Sequence, residues 1–249
     1  MKTPLLALLI CACVSAPLYG ADQSVIPKVI RRIPHDRSAF TQGLLIHEGV
    51  FYESTGRYGH SRIRRLSAET GQILLEKRLP DSLFGEGLAL LDDSLYQLTW
   101  VSGIARQYSL PSLELKNLIP YSGEGWGLTT VGMHLLMSNG SHNLFVITKD
   151  FKPVRTIPVF HNGRPMTALN ELEYANGLIY ANQWKTSHIL EIDYSSGQVL
   201  RIIDCRDIIN SLPDLTPKDV LNGIAHDPET GSFYITGKNW PAIFKVQFP

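Results

Sequence analysis

Short runs of alternating apolar and polar residues recur along this chain, separated by turn residues, and helical periodicity is nearly absent. FTQGLLIHEGVFYESTG (40–56) holds the first pair of runs. Gly43–Ile46 and Val50–Ser54 predict two strands meeting at a Glu48-Gly49 turn, and Ile63–Leu66 and Ile73–Leu79 predict two more around Glu69-Thr70-Gly71. The phrase returns as FGEGLALLDDSLYQLTW (84–100), GWGLTTVGMHLLMSNG (125–140), LNELEYANGLIYANQW (169–184) and LNGIAHDPETGSFYITGK (221–238). Aligned, the five copies place Gln42, Glu86, Trp126, Asn170 and Asn222 in one column, at steps of 44, 40, 44 and 52 residues. Units of about 40–45 residues holding four short antiparallel strands are the signature of propeller blades. One short helix is expected over Asp207–Leu212, inside the connection 206–219.

The fifth unit stops at Pro249 one strand short, while PKVIRRIP (27–34) precedes the first unit without a partner. That segment resembles the fourth strands ILLEKRLP (73–80), PVRTIPV (153–159) and VLRIIDC (199–205). The expected fold is therefore all-β, a five-bladed β-propeller whose N-terminal strand completes the last blade and closes the ring, which also limits exposed strand edges. Residues 22–249 are read as one such domain.

Innermost strands of a propeller line its central channel, so the aligned column should ring one mouth. Trp100, Trp184 and Lys238 fall beside it at the ends of second strands, and Phe40 and Phe84 stand two residues before Gln42 and Glu86, on the same side of an extended chain. Any one such aromatic is ordinarily core. Equivalent positions in identical scaffolds should nevertheless want similar residues, and here they hold Gln, Glu, Trp, Asn and Asn. Blades that agree where they pack and differ where they converge point to a site at the mouth. Gly56 opposite Trp100 suggests an open rim on one side and an aromatic wall on the other.

Composition narrows the chemistry. The 249 residues carry 44% hydrophobic and 18% charged residues, with Lys plus Arg and Asp plus Glu both at 23, so no bulk field favours nucleic acid. The N-terminal MKTPLLALLICACVSAPLYGADQ has a lone Lys2, a short apolar run and then small residues, the order of a secretory signal, expected over 1–21 with cleavage after Gly20 or Ala21. A lipoprotein signal acylated at Cys13 is the rival reading. Either makes the protein exported, periplasmic or secreted, without a membrane span, and a monomer is expected. Cys205 alone remains after the signal, so no internal disulfide forms; it reads as a buried small hydrophobe.

The mouth offers one carboxylate (Glu86), one ammonium (Lys238), amides and aromatic rings. That is too few acids for a paired-carboxylate glycosidase. By strand alternation Glu171 should point away, and Glu173 is left open. No His or Cys spacing suits a catalytic metal, so neither metal nor cofactor is expected. A non-catalytic propeller binding peptide N-termini and a sugar- or lactone-acting propeller enzyme are the alternatives.

The segments FTQGL (40–44), YESTG (52–56), FGEGL (84–88), YQLTW (96–100), EGWGLT (124–129), LNELEY (169–174), ANQW (181–184), LNGIA (221–225) and TGKNWP (236–241) together resemble the glutaminyl-peptide cyclotransferases of plant and bacterial type. The resemblance runs through all five units and implies a five-bladed propeller with its site at the channel mouth. It implies conversion of an N-terminal glutamine of a peptide or protein to pyroglutamate with release of ammonia, without a metal. It also implies a pocket of Phe40, Gln42, Phe84, Glu86, Trp100, Trp126, Asn170, Trp184 and Lys238. In that pocket Glu86 is the expected general base and then acid, the aromatic rings box the glutamine stem, and Lys238, Asn170 and Gln42 are candidate donors to the oxyanion.

Overall fold

A computed structural model describes residues 24–249; the segment read as a signal, 1–21, lies outside them. Among the described residues the single α-helix is Arg206–Asn210, and nearly all other regular structure is strand. Blade one comprises Thr41–His47, Val50–Thr55, Arg62–Ser67 and Ile73–Arg78, and blade two Gly85–Leu91, Ser94–Thr99, Ile104–Ser109 and Glu114–Pro120. Blade three comprises Leu128–Val131, His134–Met137, Asn143–Ile147 and Pro153–Pro158, and blade four Leu169–Ala175, Leu178–Gln183, His188–Asp193 and Val199–Asp204. Local chemistry sets the inner hairpins. Glu48 and Gly49 have φ of 50° and 71°, and Asn176 and Gly177 of 54° and 85°. Two-residue loops with both φ positive match the twist of the flanking strands.

Blade five has Leu221–Asp227, Ser232–Gly237 and Ala242–Gln247 from the C-terminal part of the chain. Its fourth strand is Lys28–Pro34, antiparallel to Ala242–Gln247 from Lys28 opposite Gln247 to Pro34 opposite Ala242. The fold is the five-bladed propeller that the repeat predicts, closed as expected. Just upstream, Ser24–Val25 crosses to the outer edge of blade four and runs parallel beside Ile202 and Ile203, a contact that the alternating pattern does not announce.

Apolar side chains form a ring of five cores rather than one. Each joins two neighbouring blades: Leu45, Tyr52 and Ile63 of blade one meet Leu88, Leu95 and Tyr108 of blade two, and the other four seams repeat the arrangement. At the closing seam, Ile33, Leu44, Phe51 and Leu66 meet Ala225, Tyr234 and Ile243. Cys205 is fully buried in the seam between blades four and five, as a small hydrophobe, and burial pushes its thiol far up.

A polar clasp also joins the ends of the ring. His35, directly after the closing strand, is buried; its Nδ1 lies 3.0 Å from the Trp240 carbonyl and its Nε2 2.9 Å from Glu53 Oε1. A carbonyl and a carboxylate both accept, so the ring donates from both nitrogens as an imidazolium. Thr41 Oγ1 donates to the same Glu53 oxygen at 2.7 Å, and Arg64 Nη1 stands 3.6 Å from the other. Burial works against the charged ring, but the Glu53 carboxylate outweighs it and raises the His35 pKa. Burial likewise opposes ionisation of Glu53, yet His35 and Arg64 lower its pKa.

Removing one partner from a buried ion pair costs about 3–5 kcal/mol, so His35→Ala should destabilise the ring by that order in denaturant unfolding. The His35 contribution is complete below its unfolded pKa of 6.5 and is lost as pH rises through the higher folded value. The Glu53 contribution is complete above 4.5 and is lost as pH falls. The gap between wild type and variant should therefore be widest between pH 4.5 and 6.5 and shrink at alkaline pH. An equal gap in mildly acidic and strongly alkaline buffer would mean that the ring is neutral in the fold.

Candidate active site

In four of the five inner hairpins the pairing register slips at the same place, between Thr41 and Gly43, Gly85 and Leu88, Leu169 and Leu172, and Leu221 and Ile224. Gln42, Glu86, Asn170 and Asn222 thus sit in bulges, which re-aim side chains where the ladder lapses. In blade three Trp126 precedes the strand and is held by its N–H to the Ser138 carbonyl at 2.9 Å. The next residue shows how closely the inner strands run. A Cβ on Gly43 would lie 2.6 Å from Leu88 N, one on Gly87 2.4 Å from Leu128 N, and one on Gly127 2.0 Å from the Asn170 carbonyl oxygen. Inner strands touch backbone to backbone here, and only glycine fits.

Blade four departs from this rule with Glu171. Its fully buried carboxylate accepts the Leu44 N–H at 3.1 Å and the Ile224 N–H at 2.8 Å. Those residues lie two positions further along their strands than Gln42 and Asn222, so Glu171 does point away from the mouth, across the channel. Neither it nor Glu173 lines the pocket.

At the mouth Phe40, Gln42, Phe84, Glu86 and Trp100 converge with Trp126, Asn170, Trp184 and Lys238 around a cavity of about 270 Å³. Phe84 meets Phe40 edge to face at 6.2 Å between centroids and Trp100 at 5.6 Å, while Trp126 meets Trp184 at 5.4 Å. Gly56 does not leave the rim open, contrary to the sequence reading. A Cβ there would stand 2.3 Å from the Phe84 ring, and one on Gly140 2.6 Å from the Trp126 ring. The glycines are the sockets into which these rings fit. Arg57 and Lys185 stack outside, 4.4 Å from the Phe40 centroid and 4.3 Å from that of Trp184.

The polar groups form a directed chain. Asn222 Nδ2 donates to Gln42 Oε1 at 3.1 Å, and Gln42 Nε2 donates to Glu86 Oε1 at 2.8 Å. Asn222 lies in the column yet outside the pocket lining, and its part in orienting Gln42 was missed from the sequence. Asn170 Oδ1 is buried without a hydrogen-bond partner, which leaves a polar end for a ligand. Burial pushes Glu86 well above the ordinary carboxylate range; Lys238 opposes this and Glu124 adds to it. Burial lowers Lys238 to about 8, against the pull of Glu86 and with a push from Arg57. Its ammonium also stands 4.8 Å from the Phe40 centroid. Desolvation thus wins at both charges.

Comparison with known proteins decides the family. The chain matches the family described as glutamine cyclotransferase over residues 4–248. It belongs to that family. It is 35% identical over 225 residues to a glutaminyl-peptide cyclotransferase of Arabidopsis thaliana, covering 88% of this chain and 70% of the relative. The crystal structure of Myxococcus xanthus glutaminyl cyclase superposes with a TM-score of 0.85 at 40% identity, over 91% of this chain and 98% of that one. Among cyclotransferase family members this chain therefore has relatives at both the sequence and the structural level.

Overfilling a packed site costs about 1–3 kcal/mol. Gly56→Ala should leave the thermal transition within a few degrees while displacing the Phe84 ring and weakening ligand binding at the mouth roughly tenfold or more. A crystal structure of the variant with Phe84 unmoved would contradict the socket assignment.

Proposed function

We propose that this cyclotransferase converts the N-terminal glutamine of a peptide or protein to pyroglutamate, with Glu86 carrying the proton. One observation supports this above all: a lone carboxylate, buried and pushed up in pKa, sits inside an aromatic pocket beside a cation. The α-amine nitrogen attacks the γ-carboxamide carbon of the same residue, so the C–N bond of the lactam forms first. Glu86 takes the proton that the amine gives up. The tetrahedral intermediate collapses as the bond to the carboxamide nitrogen breaks, and the same proton passes to that nitrogen, which leaves as ammonia.

Positioning supplies much of the rate. Both reactants belong to one side chain, and holding it folded is worth up to ~7–11 kcal/mol in favourable intramolecular cases. Trp126, Trp184, Trp100, Phe40 and Phe84 wall the glutamine stem. Gln42 is engaged between Asn222 and Glu86, so it serves to orient the carboxylate, and Lys238 and the Asn170 amide are left for the oxyanion and the amine. These side chains supply proton transfer and charge stabilisation between them, so the reaction is proposed to run without a metal. The signal-like order of the N-terminal residues supports export, and the enzyme is proposed to act as a monomer; mass spectrometry of the mature N-terminus tests the first and light scattering the second.

Purified protein should release ammonia from a Gln-peptide, but not from the same peptide with its α-amine acetylated, and a chelator should leave the rate unchanged. Glu86→Gln should retain KM and lose roughly 10²–10⁴ in kcat; normal turnover would remove Glu86 from the mechanism.

The pH dependence has a worked sign. Glu86 must be ionised to accept a proton, so its raised pKa puts the acid limb of kcat/KM above the usual carboxylate range. Lys238 must be protonated, so the rate falls as pH rises past about 8. Lys238→Gln should lose that falling limb together with about 10²–10³ in kcat.

A further inference from the structure

The aromatic wall is built in two halves. Phe40, Phe84 and Trp100 form an edge-to-face series from blades one and two, and Trp126 with Trp184 forms a second from blades three and four. Between them stands Glu124, a residue of the loop joining blades two and three. Its Oε2 accepts the indole N–H of Trp100 at 2.8 Å and that of Trp126 at 2.9 Å. One oxygen therefore orients two walls that come from different blades.

The loop itself is fastened to the same rim. Gly125 N–H donates to the Trp100 carbonyl at 3.1 Å, Tyr121 N–H to the Gly103 carbonyl at 2.8 Å, and the Tyr121 hydroxyl to the Thr99 carbonyl. A Cβ on Gly125 would lie 2.6 Å from that hydroxyl, so the backbone beside Glu124 is held at close quarters. An exposed glutamate on a free loop would trade such contacts for water, because indole N–H groups at a rim are readily solvated. Here the loop is tied on both sides of the carboxylate, and the bridge forms at the one junction where the wall passes between its two series of rings.

We propose that Glu124 is a positioning residue that locks Trp100 and Trp126 into a single wall of the substrate pocket. Its charge has a second effect on the chemistry. The charged and titratable groups around Glu86 are Lys238, Glu124 and Tyr121, with Arg57 acting on Lys238. Lys238 favours the Glu86 carboxylate and Glu124 disfavours it, so Glu124 keeps the proton carrier readier to hold a proton.

Two substitutions separate these effects. Glu124→Gln keeps a carbonyl oxygen that accepts both indole N–H groups but removes the charge; Glu124→Ala removes both. The first measurement needs no catalysis and reads the indole N–H resonances of the four tryptophans. Two of the four should move in Glu124→Ala and stay near their wild-type positions in Glu124→Gln. The second measurement rests on the cyclisation reading and uses a Gln-peptide. Glu124→Ala should raise KM roughly tenfold, the loss of a charge-assisted hydrogen-bond bridge, while Glu124→Gln should restore KM and shift the acid limb of kcat/KM to lower pH. Unmoved indole signals in Glu124→Ala, or an unchanged KM in it, would overturn the positioning role. An unshifted acid limb in Glu124→Gln would overturn the charge effect. If wild type turns over no Gln-peptide, the cyclisation reading fails, and the resonances still decide whether Glu124 holds the wall.

Discussion

Backbone contact between the inner strands of the ring is the constraint from which the site follows. At Gly43, Gly87 and Gly127 the neighbouring strand passes so near that no side chain fits. In four of the five inner hairpins the ladder lapses at that level and the column residue is turned toward the mouth, while in blade three Trp126 stands just before the strand. The innermost strand of each blade turns a free edge to the channel, with backbone N–H groups that have no ladder partner there, and each such group costs about 1–3 kcal/mol if buried unmet. Glu171 meets two of them, on Leu44 and Ile224, from across the channel. Burial pushes that carboxylate up while the two N–H groups pull it down, and burial prevails. A ring packed tightly enough to close thus creates its own polar debt at the centre, and the one blade lacking the glycine supplies the group that settles it.

The parts of this architecture legible in the sequence are those that repeat. Register alone aligned Gln42, Glu86, Trp126, Asn170 and Asn222, and the orphan strand at 27–34 revealed the closure, because a blade missing one strand and a strand missing its blade have only one economical solution. Strand alternation then served less well. It assumes an unbroken ladder, and the bulges that aim the site break it. Glu171 lies away from the pocket as alternation says, yet nothing in a single strand shows that its carboxylate spans the channel. In the sequence Gly56 looks like open space, because a missing side chain resembles a vacancy, but the vacancy is filled by Phe84 of the next blade. Glu124 went unassigned for a related reason. It lies in a connection outside the repeat, where there is no equivalent position to compare it with, and its partners are 24 and 2 residues away in sequence. Its signal was only the company it keeps in EGWGLT. Ser24–Val25 carries too few residues to show a period at all.

Glu86 and Lys238 illustrate why such a site is poor material for stability and good material for proton transfer. A buried carboxylate and a buried ammonium attract one another, but the loss of hydration at each commonly exceeds that attraction. Both groups here respond as that balance requires: burial moves each toward its neutral form, and the partner only moderates the shift. In a structural ion pair this would be a weakness. In a proton carrier it brings donor and acceptor strength toward the working pH, the condition under which general acid–base catalysis is most effective. The rings that desolvate Glu86 are also the rings that would hold a glutamine side chain, so recognition and acidity share one cause. A change that opens the wall to water should therefore weaken binding and lower the Glu86 pKa together, whereas a change confined to charge, such as the loss of Glu124 as an anion, should move the second without the first. Geometry and electrostatics are separable in this pocket only at residues like Glu124, which touch the wall from outside it.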